Sequence, residues 1–447
     1  MRVLHIPFFY SFSKLGGTEI YVESLCRHLS AVGIECAIVT PAARLGIEEK
    51  LVDGITIFEI GQDPESGFEE AYGQPDWVAA ANFRVVLQAW KPDVVHLHAR
   101  TAAVSEALVH EAKQAGARVL FTYHTPTVSC ARGTMMHMGR APCDGALDVT
   151  RCTACVLQKH GVHEGLANVL ARTPGWLGRL LARLRLHGGV WTALRMRELV
   201  AGGQQRFHSL MSKADHVVAV CEWVAGVLRR NGINEPQLVV SRQGLPFAPI
   251  EPVDSGAIAS ATPDTDVSTQ RPLVLRYFGR LDRSKGVDVL LRALAKIPTA
   301  NVSLEIFAII QGAEDAYQQH LRKMIKQDTR VALRPSLPAS SVVAAMRACD
   351  LVVVPSQWLE TGPLVVLEAF AAGTPVLGSR LGGIAELVTH GVDGLLVAAE
   401  NEKAWADAIQ SFDTDRSALN RLRAGIKPPR TMKEVAKEMS ELYESLS

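Results

Sequence analysis

Short apolar runs alternate with helical patterns along nearly the whole chain, and that alternation leaves few architectures open. In the first half the runs fall at Val3–Phe9, Glu35–Thr40, Ile55–Ile60, Asp93–His98, Arg118–Tyr123, His216–Val220 and Leu238–Ser241. Between the first two, Tyr21, Leu25, Leu29 and Val32 recur at the spacing of one helix face. The second half repeats the scheme at Leu273–Phe278, Val302–Phe307, Val331–Arg334, Leu351–Pro355, Pro375–Gly378 and Gly394–Val397. Strands separated by helices make crossover connections, which implies parallel sheets covered on both faces. From Pro246 to Pro272 the pattern stops in prolines, glycines, serines, threonines and aspartates, which reads as an exposed linker. The expected layout is an α/β domain over 1–245, a linker over 246–272, a second α/β domain over 273–425 and a C-terminal helical segment over 426–447.

Charge and targeting signals narrow the function. Lysine plus arginine (47) nearly equals aspartate plus glutamate (46) in 447 residues, so global charge does not suggest a nucleic-acid partner. Met1–Ile6 reads as a strand running into Pro7, too short for the apolar region of a signal peptide. No run of about eighteen apolar residues exists to span a membrane, and the expected location is cytoplasmic. Eight cysteines without an export signal favour reduced thiols or metal ligands over a disulfide framework.

The chemistry concentrates around Glu360 and Glu368. Inside one helix, eight steps of about 100° would leave the two carboxylates roughly 80° apart. Thr361–Gly362–Pro363 suggests instead that Glu360 sits in a strand-to-helix loop and Glu368 on the helix that Pro363 opens. Such a helix start accepts phosphate, and two acids beside it suit a ligand with two hydroxyl-bearing parts. Upstream, Arg280 follows a strand and a glycine, and Lys285 lies five residues on. An arginine and a lysine in isolation read as solvated loop cations; at the exit of a parallel strand they read as phosphate ligands.

These segments together resemble glycosyltransferase family 4, retaining enzymes of the GT-B fold. The resemblance is carried by the Glu360-x7-Glu368 spacing, Tyr277–Leu281 with Lys285–Val287, Gly382–Glu386 with Gly391–Val397, Gly16–Glu19, and Tyr123–Thr125. It implies two Rossmann-like domains with parallel sheets facing across a cleft, with the terminal helix crossing back to the first. Donor binding is thereby assigned to Gly16, Gly17, Arg280, Lys285, Glu360, Gly362, Leu364, Val365 and Glu368. Catalysis is assigned to Glu360, His124, Arg280 and Lys285, with Glu368 on the nucleotide ribose and Glu360 on the donor sugar. The family usually places Asp after the histidine, whereas this chain has Thr125. Glu19 reads as a first-turn helix carboxylate and stays outside the catalytic set, and His96 and His98 read as buried structural residues.

Two further features stand apart. Cys130, Cys143, Cys152 and Cys155 follow the spacing of a structural zinc site; an iron–sulfur cluster uses the same ligands, and four ordinary thiols are the plain alternative. From 165 to 213, arginines interleave with Trp176, Leu177, Leu180, Leu181 and Leu184. That stretch reads either as a cationic helix lying on an anionic membrane, at the inner face in a cytoplasmic protein, or as an inserted hairpin over the first domain, within an insertion of about 126–212. Asp264–Thr265–Asp266 and Asp413–Thr414–Asp415 imitate a metal-binding Asp-x-Asp but lie in polar connecting segments.

The expected activity is transfer of a sugar from a UDP- or GDP-sugar to a hydroxyl of a glycan or lipid-linked acceptor, in polysaccharide or glycoconjugate synthesis, with no cofactor needed for catalysis. The rivals are a nucleotide-sugar epimerase of the same fold, a silent sugar-nucleotide binder, and a metal-dependent interaction module centred on the cysteines.

Overall fold

The structure, a computed structural model, describes residues 1–10, 16–65, 67–246, 271–310 and 315–446. The chain divides into two compact units, Met1–Pro246 with Met432–Ser447, and Phe247–Thr431. The linker anticipated from sequence falls almost entirely on 247–270, outside the described residues.

The strands of the first unit are β1 (Arg2–Ile6), β2 (Glu35–Ala42), β3 (Ile47–Val52), β4 (Ile55–Gly61), β5 (Val94–Leu97), β6 (Arg118–Tyr123), β7 (Met136–His137), β8 (Ala141–Pro142), β9 (His216–Ala219) and β10 (Leu238–Val240). All but β7 and β8 form one sheet in the order β10-β9-β6-β5-β1-β2-β4-β3. Every pairing in it is parallel except β3 with β4. The anticipated run Val3–Phe9 ends early at Ile6, because Pro7 has no N–H to continue the ladder, and Phe8 and Phe9 are exposed. β3 is an edge strand that periodicity misses, since Ile-Glu-Glu-Lys-Leu-Val carries too few apolar residues. The signal lay in the Asp53–Gly54 turn, where both residues take positive φ (50° and 80°), the requirement of a two-residue hairpin.

The helix Gly17–Ser30 buries Tyr21, Val22, Leu25 and Leu29 against one face of this sheet. The helix Met432–Glu444 lies beside it and adds Val435, Ala436, Met439 and Tyr443 to the same core. Its start is tied by the Met432 amide to the Leu245 carbonyl at 3.0 Å. After β6 come the small β7–β8 hairpin and the helices Val149–Lys159, Glu164–Leu170, Gly175–Arg183 and Gly189–Lys213. The longest of these sends Phe207, Leu210 and Met211 into the core on the opposite face, so this part of the insertion is structural cover.

The second unit has β11 (Leu273–Arg280), β12 (Val302–Ile309), β13 (Val331–Pro335), β14 (Leu351–Val354), β15 (Val376–Ser379) and β16 (Gly394–Val397), all parallel, in the order β13-β12-β11-β14-β15-β16. The order reverses between β11 and β14, and in such sheets ligands bind beyond the carboxyl ends of the strands at that switch point. Arg280 closes β11, and Glu360 follows β14.

Candidate active site

Two loops meet at the β11/β14 switch point, and glycines set how closely. Gly279 lies at φ 154°, and the Tyr277 hydroxyl donates to the Arg280 carbonyl at 2.6 Å, fixing the strand exit. The Asp282 carboxylate accepts from the Ser284 amide at 3.0 Å and shapes the turn that carries Lys285. Gly286 sits at φ 67°, and a Cβ there would lie 2.0 Å from the Pro355 carbonyl oxygen. Only glycine lets the two loops approach this far. The Gln357 amide then donates to the Ser284 carbonyl at 2.6 Å.

That approach places the Lys285 ammonium 2.6 Å from Glu360 Oε1 and 5.5 Å from the centre of the Trp358 ring. The Ser356 hydroxyl donates to the same carboxylate oxygen at 2.8 Å. Burial, the largest influence, pushes the Glu360 carboxyl up; Lys285 and the hydrogen bonds more than offset it and hold the group below the usual range. Glu360 is therefore a buried, ionised acid. The loop is clamped from behind: the Gly383 amide donates to the Glu360 carbonyl at 2.6 Å, and a Cβ on Gly382 would meet that oxygen at 2.8 Å. This contact ties the start of the Gly382–Leu387 helix to the loop that carries Glu360.

Glu368 is furnished differently. Pro363 caps the helix Leu364–Ala371, whose first-turn amides, at Leu364 and Val365, have no carbonyl partner within the helix. Glu368 lies one turn on, with no ion pair among the described residues, and burial alone pushes its carboxyl up to about 7. Arg280 is 46% exposed at its side chain and makes only a loose pair with Asp282 at 3.5 Å, leaving its guanidinium available to a ligand. Arg280, Lys285, Glu360, Gly362, Leu364, Val365 and Glu368 thus all come from the ends of two neighbouring strands. Ser356 is a member the sequence reading missed; its one signal is a place four residues before Glu360 in a loop that follows a strand.

In the first unit, Gly16 caps the helix Gly17–Ser30 at φ −90°, so no left-handed conformation demands glycine. Space does: a Cβ on Gly16 would lie 2.6 Å from Glu19 Oε2. Burial raises the Glu19 carboxyl while the backbone amides of Glu19 and Gly16 oppose it, so the acid caps its own helix. His124 ends a buried chain of rings. Gln243 Nε2 lies 3.3 Å from His124 Nδ1, His124 Nε2 3.0 Å from His98 Nδ1, and His98 Nε2 3.1 Å from His5 Nδ1. With the Gln243 amide nitrogen donating, neutral His124 and His98 carry their protons on Nε2 and each donates to the next ring. His96 is held by Tyr443 at 2.6 Å and Thr122 at 2.7 Å. Burial drives His124 down to about 3 and His96 and His98 well below the usual range, so these rings are neutral at physiological pH.

The four loop cysteines form no disulfide. Cys152 and Cys155 sit on the helix Val149–Lys159, and burial pushes the Cys152 thiol up to about 11, with Cys130 and Cys143 adding to it. Amides of Met138 and Gly145 donate to the sulfurs of Cys155 and Cys143 at 3.3 and 3.5 Å. Among the described residues, metal-ligand atoms gather within 4.8 Å only as His5–His96–His98 and His5–Cys26–Cys36; the loop cysteines are not so gathered. Asp413 pairs with Arg416 and caps the Asn301 amide, which leaves it no metal role. Asp264–Thr265–Asp266 lies outside the described residues.

Solved structures share this architecture over the whole chain. Sucrose-phosphate synthase from Thermosynechococcus elongatus matches all of this chain and 99% of its own, with TM-score 0.65 and 19% identity. Anabaena HepE in complex with UDP-glucose matches with TM-score 0.61 and 17% identity over the full length of both chains. The fold is GT-B, the two-domain architecture of a large class of glycosyltransferases. Residues 15–245 match Glycosyltransferase Family 4, and 264–427 match Glycosyl transferases group 1. The chain belongs to glycosyltransferase family 4. Among curated relatives, the D-inositol 3-phosphate glycosyltransferases of Corynebacterium glutamicum and Pseudarthrobacter chlorophenolicus are 33% and 32% identical over 41% and 43% of this chain. The matched region spans about half the length of either relative, 48% in both.

Proposed function

We propose that the protein is a retaining glycosyltransferase that moves a sugar from a nucleoside-diphosphate donor, UDP- or GDP-linked, to a hydroxyl of a glycan or lipid-linked acceptor. The observation that carries this reading is the Lys285–Glu360 pair at the β11/β14 exit, beside the open start of the Glu368 helix. Lys285 has three N–H donors, so it can keep Glu360 while meeting a phosphate oxygen. Arg280, Lys285 and the Leu364 and Val365 amides would hold the diphosphate and stabilise the charge it gains on leaving. Glu368 would take the ribose hydroxyls through two oxygens and Glu360 the donor-sugar hydroxyls; within the first unit, His124 and the Gly16–Gly17 turn are the residues to test for a role in donor binding and catalysis. In the reaction the bond from the anomeric carbon to the phosphate oxygen breaks. The bond to the acceptor oxygen forms on the same face, and the acceptor proton passes to a phosphate oxygen. Fixed cations neutralise the leaving group, so the chemistry asks for no cofactor.

The curated relatives make a phosphorylated cyclitol hydroxyl one acceptor to try alongside glycans, in polysaccharide or glycoconjugate synthesis. A lipid-linked acceptor would be met at a membrane surface, through the 165–213 stretch. Thermal shift with UDP-, GDP- and ADP-sugars tests donor binding, because a ligand at a hundred times its Kd adds about 2.7 kcal/mol of stability. Glu368→Ala and Lys285→Ala should each remove most of the shift; an undiminished shift in both overturns the site. Epimer formation with donor alone would favour the epimerase reading.

We also propose that Cys130, Cys143, Cys152 and Cys155 hold a structural zinc. Their spacing and the two amide-to-sulfur hydrogen bonds support this, although the sulfurs must draw closer than they now lie. Zinc analysis of the purified protein should find one ion, lost in Cys152→Ser/Cys155→Ser; its absence from the native protein overturns the assignment.

A further inference from the structure

Between Glu164 and Glu198 the chain carries six arginines and no acidic residue. The structure divides those arginines into two groups. Arg195 is 1% exposed and bonds Glu69 at 2.6 Å, and Arg197 bonds the Thr150 hydroxyl and the Ala171 carbonyl at 2.8 and 2.7 Å. Both are internal scaffolding. Arg172, Arg179, Arg183 and Arg185 are exposed, and the last three make no ion pair among the described residues.

The apolar residues divide the same way. On the helix Gly175–Arg183, Gly178 and Leu181 face inward against the helix Gly189–Lys213; a Cβ on Gly178 would lie 2.6 Å from the Glu198 side chain. The other side presents Trp176, Arg179, Leu180 and Arg183, one strip at helical spacing, and Leu184 continues it. Trp176 and Leu184 are each 60% exposed. The next helix begins with Val190 and Trp191, also exposed. Of the eighteen exposed large apolar residues among those described, seven fall between Leu166 and Trp191. Single exposed apolar residues need no explanation, but a cluster does.

We propose that this strip lies on an anionic lipid bilayer, with Trp176, Leu180, Leu184, Val190 and Trp191 in the interface and Arg179, Arg183 and Arg185 against the headgroup phosphates. Tryptophan favours the headgroup region, and arginine flanking apolar side chains is the composition of an in-plane amphipathic helix. Charge complementarity selects this occupant. A second copy of the same strip would set unpaired arginine against arginine, and a nucleic-acid backbone offers nothing to Leu180, Leu184 and Val190. The inference stands independently of the donor chemistry proposed above.

Vesicle co-sedimentation of the full chain tests it, comparing phosphatidylglycerol-containing vesicles with pure phosphatidylcholine. The native protein should sediment with the anionic vesicles and be released in part by salt. Each arginine near such a surface contributes roughly fivefold, so Arg179→Gln/Arg183→Gln/Arg185→Gln should weaken binding on the order of a hundredfold. Trp176→Ser/Trp191→Ser should abolish the part that salt does not release. Both variants alter outward-facing side chains, so unchanged thermal midpoints would show that folding is intact. Equal binding to both vesicle types, no binding, or undiminished binding in the arginine variant overturns the proposal. So does an apolar variant that changes only the oligomeric state.

Discussion

The two sheets reverse strand order in the same topological way and furnish the reversal with opposite chemistry. At β11/β14 the groups are ionic and borne on loops: Lys285 and Glu360 lie 2.6 Å apart, with Arg280 exposed beside them. At β1/β5 they are rings borne mostly on strands or the first residue beyond: His5, His96, His98 and His124 interlock inside the sheet, and burial keeps the last three neutral. A loop can bring a cation and a hydroxyl donor onto a buried carboxylate so that together they offset its desolvation. A strand interior cannot hold unpaired charge, so polar groups there persist as neutral rings joined donor to acceptor. One switch point carries fixed charge and the other a chain of hydrogen-bonded rings.

The sharpest way to break this contrast is to remove the ionic partner. Lys285→Met strands the buried Glu360 carboxylate and should destabilise the protein by roughly 3 kcal/mol. It should also cut turnover by about a hundredfold or more. Adding Glu360→Gln should restore most of the stability, by urea denaturation, and none of the donor binding. Restored binding would mean the pair is merely architectural.

Glu368 gives a comparable effect of opposite sign. Burial pushes its native carboxyl up to about 7 from an ordinary value of 4.5. As pH rises between those values, the unfolded state loses its proton first and the native state is progressively penalised. Glu368→Gln should therefore be more stable than the native protein at pH 8, by up to about 3 kcal/mol, and equal to it at pH 4.5. Equal stability at both pH values would place the acid in water.

Near neutral pH the smallest effect belongs to the rings. His124 resists protonation down to about 3, whereas an unfolded imidazole charges below 6.5. Stability should fall with acid from pH 6.5 downward by about 1.4 kcal/mol per unit for each such ring. His124→Gln should flatten that slope by one ring's share, read from denaturation curves at successive pH values. An unchanged slope would show that the ring already charges in the native state.

Sequence pattern discloses the ionic site better than the neutral one, for a physical reason. Arg280, Lys285, Glu360 and Glu368 sit in short segments whose glycines and prolines announce turns, so local pattern puts them in loops and at a helix start, and the family resemblance assigns their roles. Tyr443 and Gln243 meet His96 and His124 through tertiary packing across more than a hundred positions, which no local period encodes. The strand–helix alternation was legible throughout, while β3 and the β7–β8 hairpin were not. Their residues are too polar or too few for periodicity, although Asp53–Gly54 marked one of them. The basic stretch read as two alternatives, and burial shows that one side of it packs on the first unit while the other is exposed.

The helix Met432–Glu444 completes the core beneath β1, and its Tyr443 hydroxyl holds His96. A ribosome releases that piece only after the entire second unit has been made. Until then Tyr21, Leu25 and Leu29 lack a cover, and the nascent first half waits with an open seam. Such a chain is most vulnerable to aggregation during synthesis, and a truncation before Met432 would leave it permanently in that state.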